Sequence, residues 1–227
     1  MVKLIERKDI FSYFKVIASE IAKIQNIFYD HDLYLDLEDD NDKKIYRAAF
    51  DALNYEKNQQ NCDIKILTIE HNNIKTYSKV LHETISKLFN SISVKEIFII
   101  SGLKINFFNS FYNKYKPLTK AYKKLEEITN VKYYDEALCL NELSEEITDI
   151  IFWLARCCPD MDNIIIFDNL ERYHFNICEY GNIHLTELNG NKISEEVIAK
   201  IGLKCIEGEE YDHFSNNETI NGRRIRI

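Results

Sequence analysis

The run Val94-Lys95-Glu96-Ile97-Phe98-Ile99-Ile100 limits the fold most, because side chains alternate along a strand and Ile97 to Ile100 therefore make both of its faces apolar. Such a strand is stable in the middle of a sheet covered on both sides, and helices are the usual cover. The chain supplies them. Ile10, Phe14, Ile17, Ile21, Ile24 and Phe28 mark a single apolar stripe, which predicts a core-facing helix from about Asp9 to Tyr29. Ile74, Tyr77, Leu81, Ile85 and Leu88 repeat the pattern between Asn73 and Asn90. Ser144, followed by Glu145 and Glu146, reads as the N-cap of a helix that reaches Cys157 and is stopped by Pro159. A further helix is expected from about Asp42 to Tyr55. A helical stretch from Leu103 to Asn130 is expected to end or kink at Pro117, near Lys116.

Other strands are read at Asp63–Ile69, Asn163–Phe167 and Leu203–Ile206, with Leu33-Tyr34-Leu35-Asp36-Leu37 alternating as an edge strand. Arg172 to Leu188 reads as a hairpin. A three-residue loop, Glu179-Tyr180-Gly181 with Gly181 left-handed, sets Ile177 against Ile183 and Phe175 against Leu185 on one face. Asn176 then opposes His184 on the other face, with His174 beside Thr186. A two-residue loop would mix the faces, so the three-residue register is expected. Ser194 caps a short helix to Lys200 that ends at Gly202. Together these elements predict an α/β fold, a mixed sheet flanked by helices, with a C-terminal β-hairpin. With 6 Gly and 2 Pro no stretch reads as a linker, so residues 1–227 are taken as a single domain with its weakest division near Pro159.

The formal net charge of −8 is the wrong sign for a protein that gains affinity by neutralising phosphates, which argues against nucleic acid as a partner. The charged first residues, Met1 to Asp9, are unlike a signal peptide. The longest apolar runs, such as Ile150 to Leu154, are far short of the roughly 20 residues that cross a bilayer. Six cysteines occur without a C-x-x-C pair, and the adjacent Cys157 and Cys158 are poorly placed to hold one zinc. A cytoplasmic protein with reduced thiols, no membrane segment and no metal or cofactor is expected.

The charge is concentrated. Seven carboxylates and no Lys or Arg lie between Asp30 and Asp42, so this segment alone matches nearly all of the net charge. Counted from Asp36 as a calcium loop, Asn41 stands where the turn glycine belongs and Arg47 where the glutamate belongs, which removes the Ca²⁺ reading. A solvated loop or a negative docking face for a basic partner remains. A second acidic cluster, Glu207, Glu209, Glu210 and Asp212, precedes a basic tail at Arg223, Arg224 and Arg226.

Other side chains invite chemistry less strongly. His174 and His184 lie on the polar face of the hairpin, with Asp168 upstream, and a metal-dependent hydrolase or nuclease can use such groups as base and ligand. Strand alternation alone also accounts for their positions. Ser101-Gly102 ends a central strand where α/β proteins bring loops to ligands. It lacks the glycine of a nucleophile elbow, so Ser101 reads instead as the N-cap of the next helix. From Phe107 to Lys124 aromatics interleave with lysines, as on single-stranded nucleic-acid binders, yet the spacing equally fits a core helix with a solvated face.

In general character the chain resembles the small acidic immunity proteins of bacterial toxin systems, those of contact-dependent inhibition and type VI secretion included. The resemblance rests on the acidic segment, the cytosolic character and the run Asp168-Asn169-Leu170-Glu171-Arg172-Tyr173-His174-Phe175-Asn176-Ile177-Cys178-Glu179-Tyr180-Gly181-Asn182-Ile183. It implies a non-enzymatic inhibitor that binds one cognate toxin domain and blocks its active site or substrate groove. A nuclease toxin is basic where it meets phosphate, and carboxylates imitate that phosphate. Asp36, Glu38, Asp39, Asp40 and Asp42 are then the expected partner-binding residues, with Glu207, Glu209, Glu210 and Asp212 as the alternative face. Two rivals stand beside it: a metal-dependent hydrolase or nuclease using Asp168, His174 and His184, and a phage-derived or structural interaction module.

Overall fold

Ile97–Ser101 is buried at every position and hydrogen-bonded to a strand on each side, as its two apolar faces require. In a computed structural model the described residues are 2–32, 35–51, 53, 62–104, 115–131, 135–157, 163–206, 215–216 and 219–220. In order they form β1 (Lys3–Ile5), α1 (Arg7–Tyr13), α2 (Lys15–Asp32), α3 (Asp40–Ala49), β2 (Asp63–Ile69), α4 (Ile74–Ser91), β3 (Ile97–Ser101), α5 (Lys116–Thr129), β4 (Ala137–Leu140) and α6 (Glu145–Cys157). There follow β5 (Ile164–Asp168), β6 (Tyr173–Ile177), β7 (Ile183–Glu187), α7 (Glu195–Lys200), β8 (Leu203–Ile206) and a separate pair, β9 (Ser215–Asn216) with β10 (Thr219–Ile220).

The main sheet has eight strands in the order β1-β4-β3-β5-β6-β7-β2-β8, all antiparallel to their neighbours. It draws strands from both sides of residue 159, so one sheet spans the point where the sequence is most easily divided. Its first face carries Leu67, Ile97, Ile99, Leu138, Ile164, Ile166, Phe175 and Leu185, packed under Leu81 and Leu88 of α4, Tyr122 of α5 and Ile150 and Leu154 of α6. Its second face carries Phe98, Ile100, Ile165 and Phe167, packed under Ile10, Ile17 and Ile21 of α1 and α2. The protein is an α/β sheet flanked by helices, with the hairpin near its C-terminal end. No described helix is long and apolar enough to cross a membrane.

The hairpin has the expected register, Ile177↔Ile183, Asn176↔His184, Phe175↔Leu185 and His174↔Thr186. Gly181 adopts φ 86°, and the pair Cys178 and Asn182 closes the three-residue loop through a 3.0 Å backbone hydrogen bond. The long first helix, by contrast, is two. It breaks at Phe14, whose ring lies 4.8 Å from Phe98 and 5.3 Å from Phe167. The first amides of α2 are then met from across the chain: Ile17 N donates to the Glu171 carboxylate at 2.9 Å. Burial pushes this carboxyl up from its ordinary value, while the α2 amides it accepts pull it down.

Three other expectations change. Leu35 and Asp36 form no strand and Leu37-Glu38 is a turn, because α2 runs on to Asp32 and nearby carboxylates take the backbone amides that a ladder would need; Leu33 and Tyr34 lie outside the described residues. Pro117 begins α5 instead of interrupting a helix, which fits a residue with no amide to donate. Ser101 caps no helix, since residues 102–104 are bends and Ser101 belongs to β3. Two short strands, β1 and β4, had no sequence signal. Three and four residues are too few to show alternation, and β4 is buried throughout. Pro159, residues 105–114 and the basic tail lie outside the described residues.

Candidate functional site

The acidic segment becomes a turn that feeds the N-terminus of α3. Asp39 is its N-cap, accepting from Asn41 N at 2.8 Å and Asp42 N at 3.1 Å. The Asp42 carboxylate accepts from Asp36 N at 2.8 Å, and that of Asp36 accepts from Glu38 N at 2.9 Å. Three of the five carboxylates assigned to partner binding thus also hold the local backbone, and acidic groups suit the positive end of the helix dipole. Glu38 and Asp40 do not cap. Asp40 only pairs with Lys43 at 3.5 Å while 92% exposed. Replacing Asp39 by Ala should cost α3 about 1 kcal/mol. Amide hydrogen exchange across α3 should then speed about fivefold while the β3 and β5 amides keep their rates; unchanged exchange in α3 would show that the cap contributes nothing.

Helix α3 buries none of its residues, and Leu37 (41%) and Ile45 (48%) remain exposed beside the carboxylates. Its anchor is aromatic. Tyr46 stacks on Phe50 at 5.0 Å, and Tyr29 of α2 meets both rings edge-on. The result is a charged, amphipathic helix held at one end and turned to solvent along its length.

At that anchored end lies a polar network the sequence did not announce. Arg7 is buried and grips Asp51, Nε to Oδ1 at 2.9 Å and Nη2 to Oδ2 at 2.6 Å, while Nη1 donates to the Ser101 carbonyl at 2.9 Å. Gln25 Nε2 donates to Asp51 at 2.7 Å and to the Gly102 carbonyl at 2.9 Å, and its own oxygen accepts from Asp51 N at 3.0 Å. The network joins α1, α2 and Asp51, two residues beyond α3, to the end of β3. It floors a cleft of about 780 Å³ between α1 and α3, whose walls include Phe11, Tyr46, Phe50, Asp135 and Glu136.

The hydrolase set does not assemble. Asp168 shares the sheet face of Ile164 and Ile166, whereas His174 and His184 alternate to the opposite face from Phe175 and Leu185. Asp168 is also committed: Oδ1 accepts from the amides of Arg172 and Tyr173 at 2.8 and 3.3 Å, and Oδ2 accepts from Arg172 Nε at 2.7 Å. It shapes the β5–β6 turn. The histidine face is the one on which Ile17 and Ile21 of α2 pack with Phe167, the partner of His174 in β5, and both histidines are only partly exposed. Burial, with Lys23 nearby adding to it, pushes His174 down to about 4, and among the described residues its Nδ1 is shielded without a hydrogen-bond partner. Among the described residues no three His, Cys, Asp or Glu side chains are grouped to hold a metal ion.

The remaining sequence features are structural where they are described. Tyr122 is fully buried and Lys124 pairs with Asp149 at 3.1 Å, so the described end of the basic-aromatic run is core and helix-to-helix contact. The hairpin loop is pinned from beneath by the Tyr77 hydroxyl on the Gly181 carbonyl and by buried Arg156 on the Glu179 carbonyl. Glu207, Glu209, Glu210 and Asp212 lie outside the described residues. Compared with known proteins, the chain matches no family model, no curated protein and no solved structure.

Proposed function

We propose that the chain is an immunity protein, a cytoplasmic inhibitor that binds one cognate bacterial toxin domain and occludes its active site or substrate groove. The carrying observation is the turn and helix around Asp36 to Asp42, where exposed carboxylates stand beside exposed Leu37 and Ile45 on a helix that buries nothing of its own. An acidic face steers a basic partner into place, and adjacent apolar side chains hold it once docked. No residue here is assigned a catalytic role.

The geometry also selects the variant that tests the reading. Asp39 and Asp42 hold the turn, so reversing them would confuse docking with folding. Glu38→Lys with Asp40→Lys changes the field and leaves the cap in place. With a basic toxin domain as the binding partner, association measured by stopped flow should slow about tenfold at low salt, and the difference should shrink as salt is added. Association that is unchanged at every salt concentration removes this face from the interface. Binding without protection of toxin-expressing cells would place the chain among interaction modules without inhibitory action.

A further inference from the structure

In the cleft between α1 and α3 the charges balance in number but not in pairing. Arg7 is satisfied by Asp51 and the Ser101 carbonyl, Lys8 by Glu6, the Lys104 ammonium reaches the Arg47 carbonyl at 3.4 Å, and the Arg47 side chain is exposed to solvent. Asp51 is satisfied by Arg7 and Gln25. Asp135 and Glu136 have no cation within ion-pairing distance among the described residues. Glu136 Oε2 is shielded from solvent and accepts no hydrogen bond among the described residues. A carboxylate oxygen removed from water without a donor is costly, and a donor arriving from outside removes that cost. Phe11, Tyr46 and Phe50 also line the cleft, and the Arg7 guanidinium lies 5.3 Å from the Phe11 ring centroid, as a cation settles over an aromatic face.

We propose that this cleft is a binding site for an organic cation, the guanidinium or ammonium end of a basic side chain, with Glu136 as its acceptor and Phe11, Tyr46 and Phe50 as its aromatic walls. That a partner protein delivers the side chain rests on the immunity reading; the preference for a cation does not. The placement suits delivery, since α3 lines the cleft with Tyr46 and Arg47 and carries the acidic turn at its other end. A basic partner drawn to the turn meets the cleft along the same helix.

Agmatine, a small guanidinium, is the probe, and glutarate is the anionic control. Titration followed by amide chemical shifts should move the resonances of Phe11, Tyr46 and Glu136 with agmatine and not with glutarate. Glu136→Gln, which keeps shape and loses charge, should weaken agmatine about tenfold, as loss of a charge-assisted hydrogen bond implies. Asp135→Asn provides a second variant should the first unfold, and Glu38→Lys with Asp40→Lys should leave agmatine binding unaltered. No shift with agmatine, an affinity in the cleft variants equal to that of the parent protein, or stronger binding of glutarate overturns the proposal and leaves toxin inhibition untouched. Agmatine binding in a protein that fails to inhibit the toxin overturns the immunity reading alone.

Discussion

An Asp51→Ala variant should unfold more easily than the parent protein by about 3–5 kcal/mol, the range for removing one partner from a buried ion pair. Arg7 and Asp51 are only 4% and 7% exposed at their side chains, and Asp51 takes both Nε and Nη2 of the guanidinium. Without it, Arg7 keeps a single described acceptor, the Ser101 carbonyl, and Gln25 loses one of two. The charge would then be buried and uncompensated. Replacing both partners, Arg7→Met with Asp51→Leu, removes the charge together with its counter-charge and should recover most of the loss. Urea unfolding of the two single variants and the double variant closes the cycle. The exposed pair Lys8 and Glu6 supplies the contrast, since breaking it should leave stability nearly unchanged. A loss below about 1 kcal/mol in Asp51→Ala would mean that water reaches the pair.

This network bears on the proposed binding face because it fixes the base of α3, a helix also attached through Tyr46, Phe50 and the Lys104 amide on the Ala49 carbonyl. A weak network should loosen α3 before it loosens the sheet. Amide exchange in Asp51→Ala is therefore expected to rise most in α3.

What the sequence made legible was whatever local alternation or period could carry. The hairpin register followed from side-chain parity and one left-handed glycine, and it agrees at Ile177↔Ile183, Phe175↔Leu185, Asn176↔His184 and His174↔Thr186. The core stripe of α1 and α2 was equally legible, with Ile10, Ile17 and Ile21 buried beneath it. The break at Phe14 was not, because its cause is remote: Glu171 accepts an α2 amide from 154 residues along the chain. The same applies at the cleft. Arg7, Gln25, Asp51 and Glu136 come together through sheet order, and nothing in their spacing foretells it. Asp168 and the two histidines show the converse error, in which nearness along the chain suggested a set that the sheet separates onto two faces.

His174 should make the fold sensitive to acid between about pH 6.5 and 4. In the unfolded chain its imidazole titrates near 6.5, whereas burial first and then Lys23 push it down to about 4 in the folded protein. Below pH 6.5 the unfolded chain therefore gains a proton that the folded chain refuses. Stability is complete above that pH, falls as the pH drops, and levels off once the folded imidazole is itself protonated. The full shift is worth about 3 kcal/mol, a large part of what holds an ordinary domain together. Carboxylates titrate over part of the same range, so the comparison must be with a variant. His174→Leu has no group to protonate and removes the shielded Nδ1 that lacks a hydrogen-bond partner among the described residues. Its unfolding free energy, measured in urea at pH 7 and at pH 4, should fall by about 3 kcal/mol less than that of the parent protein. Equal losses in the two proteins would mean that the imidazole takes up its proton in the folded state without penalty, and α2 would then not seal the His174 side of the hairpin.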